Sequence, residues 1–407
     1  MGEKVDDVED IMRKKVEKMK LSEVRITEKT PLASKKICLL YSSSCDWKRI
    51  TGFNLPLLEK IIMQALTHYK GGYASKISGN EAILLTIIWL RSGFSFAKLA
   101  DPLEWNAQIV TRAVIKGLSA LSFCFEDFTC YTEVKPLLDI ADVNDIEKLS
   151  EKELLSQYII DGKHFPIAKV GREVERPYYC SYKLKHIAYQ AQFVITHTGL
   201  CVSVSRGEKA GEHDMKVYYD NRRRLIVGLY QMIRRDPIIM GDQGYLASDC
   251  PEIITSKSQV FNKYRILIER YFGRMSVVFA AVGKKFPLSF EHFSLYVRTL
   301  SFLTNVHVFN SPLVRKEERY HYAMEFYWQT RYEDKILKHR ESVKKSRENS
   351  KKLVEEKSSK DKKDSAKTGI TSSPKRSPVI TASKKLKGLY FVLSVYLNMS
   401  SPFKVGK

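Results

Sequence analysis

The chain has 407 residues, 44% of them hydrophobic, with a formal net charge of +22 and a pI near 9.5. That length supports two or three domains with a buried core, and the charge points to a polyanionic partner, nucleic acid before membrane. Seven scattered cysteines with no C-x-x-C pair argue against a disulfide framework or a structural zinc site and for a reducing compartment.

Residues 1–35 are charged and polar, have no apolar run of the signal-peptide kind, and read as a loosely ordered N-terminus. Residues 36–150 read as helical. "GFNLPLLEKIIMQALTHY" and "NEAILLTIIWLRSG" both place apolar residues at three- and four-residue steps. "FSFAKLADPLEWNAQIVTRAVIKGLSAL" predicts a short helix around Ala97–Ala100, a turn holding Pro102, and a longer helix from Asn106 or Ala107, with Asn106 as N-cap. That pattern suits a helix-turn-helix offering Arg112 and Lys116 to a major groove. It equally suits a helical hairpin that only packs.

From about residue 155 the period changes. "SQYIIDGKHFPI" is a strand candidate, and "KHIAYQAQFVITHTG" followed by "LCVSVSRG" reads as a hairpin turning at Thr-Gly. "EHDMKVYYDNRRRLIVGLYQMI" predicts a helix and "DPIIMGDQGY" a short buried strand ending in a turn. After a loop with Pro251, "NKYRILIERYFGRM" (262–275) and "FEHFSLYVRTLSFLTNVHVFN" predict two more helices. Three leading strands, then helix, strand and helix, give a mixed α/β sheet over 151–315.

Residues 316–388 are expected to form a charged helix and a disordered basic tail. Within it, 331–388 hold 19 Lys and Arg against 8 Asp and Glu, half of the net charge. "SPKRSP" and "ASKKLK" there suit nuclear import, a DNA-clamping arm, or a tail that only solubilises. Residues 389–407 carry a short apolar segment, too short to span a bilayer.

Three carboxylates stand at special places. Asp161 in "YIIDGKH" and Asp242 in "IIMGDQGY" sit at the ends of apolar strands, where α/β folds place function. Glu269 lies on the helix that follows. Carboxylates converging from two strands and a helix suit two hard divalent cations, Mg²⁺ or Mn²⁺, and phosphodiester chemistry. Simpler readings also exist: turn residues for the two aspartates, and an ion pair with Arg265 for Glu269.

Taken in order, "YIIDGKHFPI", "SYKLKHIAYQAQFVITHTG", "RGEKAGEHDMKVY", "IIMGDQGY", "NKYRILIERYFGRM" and "LTN" resemble the nuclease domain of PIF/Harbinger-type transposases and their domesticated relatives, DDE-superfamily endonucleases. The resemblance spans roughly residues 155–310. It implies an RNase H-like fold, with Asp161, Asp242 and Glu269 as catalytic residues holding two Mg²⁺ or Mn²⁺ ions to cut or join DNA. Asp214 matches a recurring family aspartate and is given a secondary role, with His213 beside it as a helix-start hydrogen bonder. Glu269 follows Asp242 by 27 positions, a shorter gap than the family usually shows. The partner implied is DNA, with a separate DNA-binding protein and a homodimer both compatible and no membrane. The expected location is the nucleus in a eukaryote and the cytoplasm otherwise.

Around this set, Lys183 and Lys185 (with His186) suit phosphate contact or an exposed strand edge. Arg270 and Arg274 face either DNA or solvent, and His164 orients a ligand, contacts phosphate or is structural. The expectation is a metal-dependent DNA endonuclease or transposase. The alternative is a domesticated, non-cleaving DNA-binding or adapter protein that keeps the fold.

Overall fold

Caps written into the sequence begin and end the helices of the first half. In the computed structural model, which describes residues 47–70, 77–130, 132, 134–168 and 175–313, helix α1 spans Trp47–Thr51 and α2 spans Leu55–His68. Asn54 caps α2 by accepting the Leu57 N–H at 3.2 Å. Helix α3 (Gly79–Ser92) opens with a capping box between Ser78 and Glu81 and stops at Gly93, whose φ of 63° is the left-handed conformation glycine adopts without strain. Helix α4 (Phe96–Ala100) is one short turn capped by Ser95, and α5 (Ala107–Thr129) starts as expected at Asn106, which accepts the Gln108 N–H at 2.7 Å. Helix α5 buries Val110, Val114, Leu118 and Leu121. At Gly117 a Cβ would overlap Thr86 Oγ1, so α3 and α5 approach to backbone distance there. The short helices α6 (Val143–Ile146) and α7 (Glu151–Leu154) lead into the sheet.

Strand β1 (Tyr158–Pro166) pairs antiparallel with β2 (Ala188–Thr196) along its whole length, Asp161 lying opposite Phe193. The one-turn helix α8 (Arg176–Tyr179) precedes β2. A turn at Gly199 (φ 82°) brings β3 (Cys201–Val204) back along β2, and β4 (Glu208–Lys209) pairs with β2 as well. After α9 (Asp214–Ile233), β5 (Ile239–Met240) pairs parallel with β1, and β6 (Ile253–Ile254) parallel with β5. The sheet is thus mixed, in the order β3-β2-β1-β5-β6, and helices flank it.

The two-residue period of the strands sorts the side chains into two cores. Tyr158, Ile160, Val194 and Val202 meet Met215, Tyr218 and Leu229 of α9 on one face. Ile159, Phe165, Phe193 and Ile195 share the other with α11 (Leu267–Val278) and α12 (Phe293–Asn310), and that core continues into α1–α5.

Three features depart from the sequence reading. Strand β1 runs on to Pro166, so Asp161 is not at its tip; only the pairing with β5 stops short of it, because β2 keeps bonding the far edge. The continuous helix expected over 262–275 is two helices, α10 (Gln259–Arg265) and α11, separated at Ile266, where ψ opens to −12°. Strands β4 and β6 were not expected; two residues each are too few to show a period. The segments 1–35, 316–388 and 389–407 lie outside the described residues.

Candidate active site

Parallel pairing of Ile159 with Met240, carried two residues further, sets Asp242 level with Asp161. Both aspartates therefore stand where β1 and β5 part. Asp161 is only 9% exposed, and its Oδ1 accepts the Gly162 N–H at 2.7 Å. Burial pushes its carboxyl up to about 6; Lys183 and the Gly162 N–H pull the other way, and Asp242 and Asp214 add to the rise. Asp242 Oδ1 accepts the Gly244 N–H at 2.9 Å, which fixes the turn after β5.

Asp214 reaches the same spot from the opposite face of the sheet. It is the first residue of α9, behind His213, whose ring accepts the Met215 N–H at 3.3 Å. Its Oδ1 stands 2.7 Å from where a Gly162 Cβ would be, and its Oδ2 3.9 Å from where a Gly244 Cβ would be. Glycine at 162 is what lets the carboxylate in. Lys183 Nζ lies 4.0 Å from Asp161 Oδ1 and 4.0 Å from Asp214 Oδ2, an internal counter-charge shared by the two. The Asp214 carboxyl is also raised, by burial first.

Glu269 is differently placed. Its helix lies over the Asp161 face: Phe272, one turn on, packs edge-on against Phe193 at 5.3 Å, and Ser276 accepts from Lys163 Nζ at 3.3 Å. Yet Glu269 is half exposed and its Oε1 takes the Arg265 guanidinium at 3.1 Å, one helical turn back. Among the described residues no three His, Cys, Asp or Glu side chains gather closely enough to hold a metal ion. The donors present are nonetheless hard carboxylate oxygens of the kind Mg²⁺ and Mn²⁺ prefer.

The remaining sequence candidates disperse. Lys185 and His186 are exposed beside Lys183, and Lys185 takes a left-handed φ of 57°. Arg270 is exposed on α11. Arg274 spends its guanidinium on the end of α12, donating to Ser311 O at 2.7 Å and lying 3.2 Å from His307 Nδ1. Arg112 and Lys116 are exposed on α5, as are Gln108, Phe123 and Glu126 of the same helix. Among the described residues the buried Nδ1 of His164 has no hydrogen-bond partner, and burial with Lys183 and Lys163 pushes its ring down to about 4, so it is neutral near pH 7.

Two neighbours were not singled out from sequence. Lys163, on the same face of β1 as Asp161, has its ammonium pushed down to about 8 by burial. The Tyr245 hydroxyl is fully buried and sits 3.9 Å from where a Gly162 Cβ would be; burial and then Asp214, Asp161 and Asp242 raise its pKa. The only signal for Tyr245 was its place in "GDQGY".

No curated protein and no solved structure matches the chain. A family model described as DDE superfamily endonuclease matches residues 160–305, the stretch from β1 into α12 that carries Asp161, Asp214, Asp242 and Glu269.

Proposed function

We propose that this chain is a DNA-cutting or DNA-joining nuclease of the transposase kind, PIF/Harbinger-like and built on an RNase H-like sheet. The observation that carries the reading is the meeting of Asp161 and Asp242 where β1 and β5 part, inside the stretch matched by the endonuclease family. Four leading strands joined by antiparallel pairing, then two added in parallel beyond β1, support the fold assignment.

Asp161, Asp242 and Glu269 are the residues that would hold two divalent cations. When bound, such ions activate a water or a DNA 3′-hydroxyl and stabilise the leaving oxygen of the phosphodiester. The chain's own contribution is positioning. The Gly162 and Gly244 N–H groups orient Asp161 and Asp242, and Lys183 balances the charge of Asp161 and Asp214. Arg112, Lys116, Lys183, Lys185 and Arg270 would meet DNA phosphates, and the net charge of +22 supports such binding. Glu269 must leave Arg265 to join the set.

One observation favours a second reading, a non-cleaving DNA-binding protein that keeps the fold: the Glu269–Arg265 pair is complete as it stands. Nicking of supercoiled plasmid in Mn²⁺ separates the two. Wild type should nick, and Asp161→Asn, Asp242→Asn and Glu269→Gln should each lose activity by more than ~100-fold while keeping salt-sensitive DNA binding. Binding without nicking by wild type would sink the nuclease reading. Activity in all three variants would sink the site.

A further inference from the structure

The turn between α8 and β2 holds out an aromatic ring that the fold does not use. Cys180 and Ile187 form an isolated antiparallel bridge at its base. Ser181, 2% exposed, closes the turn: its N–H donates to His186 O at 2.9 Å, its carbonyl accepts the Lys185 N–H at 2.9 Å, and its hydroxyl accepts the Leu184 N–H at 3.0 Å. At the tip, Tyr182 is 82% exposed. Among the described residues it makes no hydrogen bond, ion pair or ring contact. The nearby exposed Tyr178 differs, because Lys209 Nζ lies 5.4 Å over its ring.

One exposed tyrosine on a surface needs no explanation by itself. Here the neighbours supply one. Lys183, the next residue, reaches inward to within 4.0 Å of both Asp161 and Asp214 and 3.4 Å of Gly162 O. Lys185 and His186 are exposed on the same turn. An exposed ring next in sequence to a lysine that reaches Asp161, with a second exposed lysine on the same turn, is the combination that grips unpaired nucleic acid: cations track the phosphates and the ring covers a base face. In intact duplex each base face is already covered by its neighbour, so the ring finds no partner there.

We propose that Tyr182 stacks on an unpaired DNA base next to the phosphodiester presented to Asp161 and Asp242. The site would then prefer DNA with a nucleotide already out of the helix over unbroken duplex. This rests on the nuclease reading above, and the test keeps the two apart.

The probes are a short DNA duplex with one bulged 2-aminopurine and the same duplex fully paired, each titrated with the full chain in EDTA so that nothing is cut. Wild type should quench the 2-aminopurine and bind the bulged duplex about 10-fold more tightly, as stacking of one base on one ring provides. Tyr182→Ala should bring the bulged duplex down to the affinity of the paired one and leave paired binding unchanged. Tyr182→Trp should keep the preference. If wild type shows no preference, or if Tyr182→Ala keeps it, stacking is overturned; Mn²⁺-dependent nicking that persists in the same preparations leaves the nuclease reading standing. If wild type binds neither duplex at low salt, both fall.

Discussion

Position 162 has room for glycine and little else, because the Asp214 carboxylate occupies the place a Cβ would take. The crowding of Asp161, Asp214 and Asp242 around it has a cost that pH exposes. Burial disfavours the Asp161 carboxylate, so the folded chain holds that proton more tightly than the unfolded chain does. The group therefore contributes stability that is fully present below its unfolded value near pH 4 and is lost as pH rises through about 6. Asp161→Asn removes the penalty. In EDTA at pH 7.5 this variant should be more stable than wild type by roughly 1–3 kcal/mol in urea unfolding, and the gap should close near pH 4. Equal stability at both pH values would show that Lys183 already neutralises the group. The aspartates at 161 and 242 were legible in sequence because acids next to apolar runs are rare. Asp214 was assigned a secondary place because nothing in one sequence says that α9 starts beside Gly162.

At the scale of elements, α12 does more than cover the sheet. Asn305 is fully buried and treats the edge strand β3 as a ladder partner would: its Oδ1 accepts the Cys201 N–H at 2.8 Å and its Nδ2 donates to Cys201 O at 2.7 Å. The Tyr271 hydroxyl of α11 donates to the same Oδ1 at 3.2 Å, so one amide ties two helices to one strand. Asn305→Ala leaves the buried Cys201 N–H and C=O short of partners, while the Tyr271 hydroxyl keeps Ser301 O at 3.1 Å. The substitution should cost about 2–4 kcal/mol, read as a fall in denaturation midpoint. A loss under 0.5 kcal/mol, on the order of an ordinary surface change, would mean that water replaces the amide. The asparagine was visible in "LTN" as part of a resemblance. Its task was not, since it depends on β3 lying across α12, a pairing more than a hundred residues apart.

At the scale of the molecule, the helical first half and the sheet share one core. Thr299 Oγ1 of α12 donates to Leu118 O of α5 at 3.1 Å, and Phe128 packs edge-on against Phe302 and Phe309 at 6.2 and 5.1 Å. Arg91 of α3 caps the end of α11 by donating to the carbonyls of Val277 and Val278 at 3.1 and 2.5 Å. A fragment of residues 151–315 would expose the face of α12 that α5 covers. It should bind a hydrophobic dye and lack a cooperative thermal transition; a sharp transition without dye binding would show that the sheet unit stands alone. What the sequence by itself determined are the local matters: the helix start at Asn106, the hairpin turn at Gly199, and the acids worth watching. These depend on neighbours within a few residues, and backbone sterics and capping hydrogen bonds enforce them at once. The tertiary structure alone decided that Asp242 stands level with Asp161 and that Asp214 enters through the gap at Gly162. Each of those depends on strand register and helix packing between distant segments, where a shift of one residue would move the carboxylate to the other face.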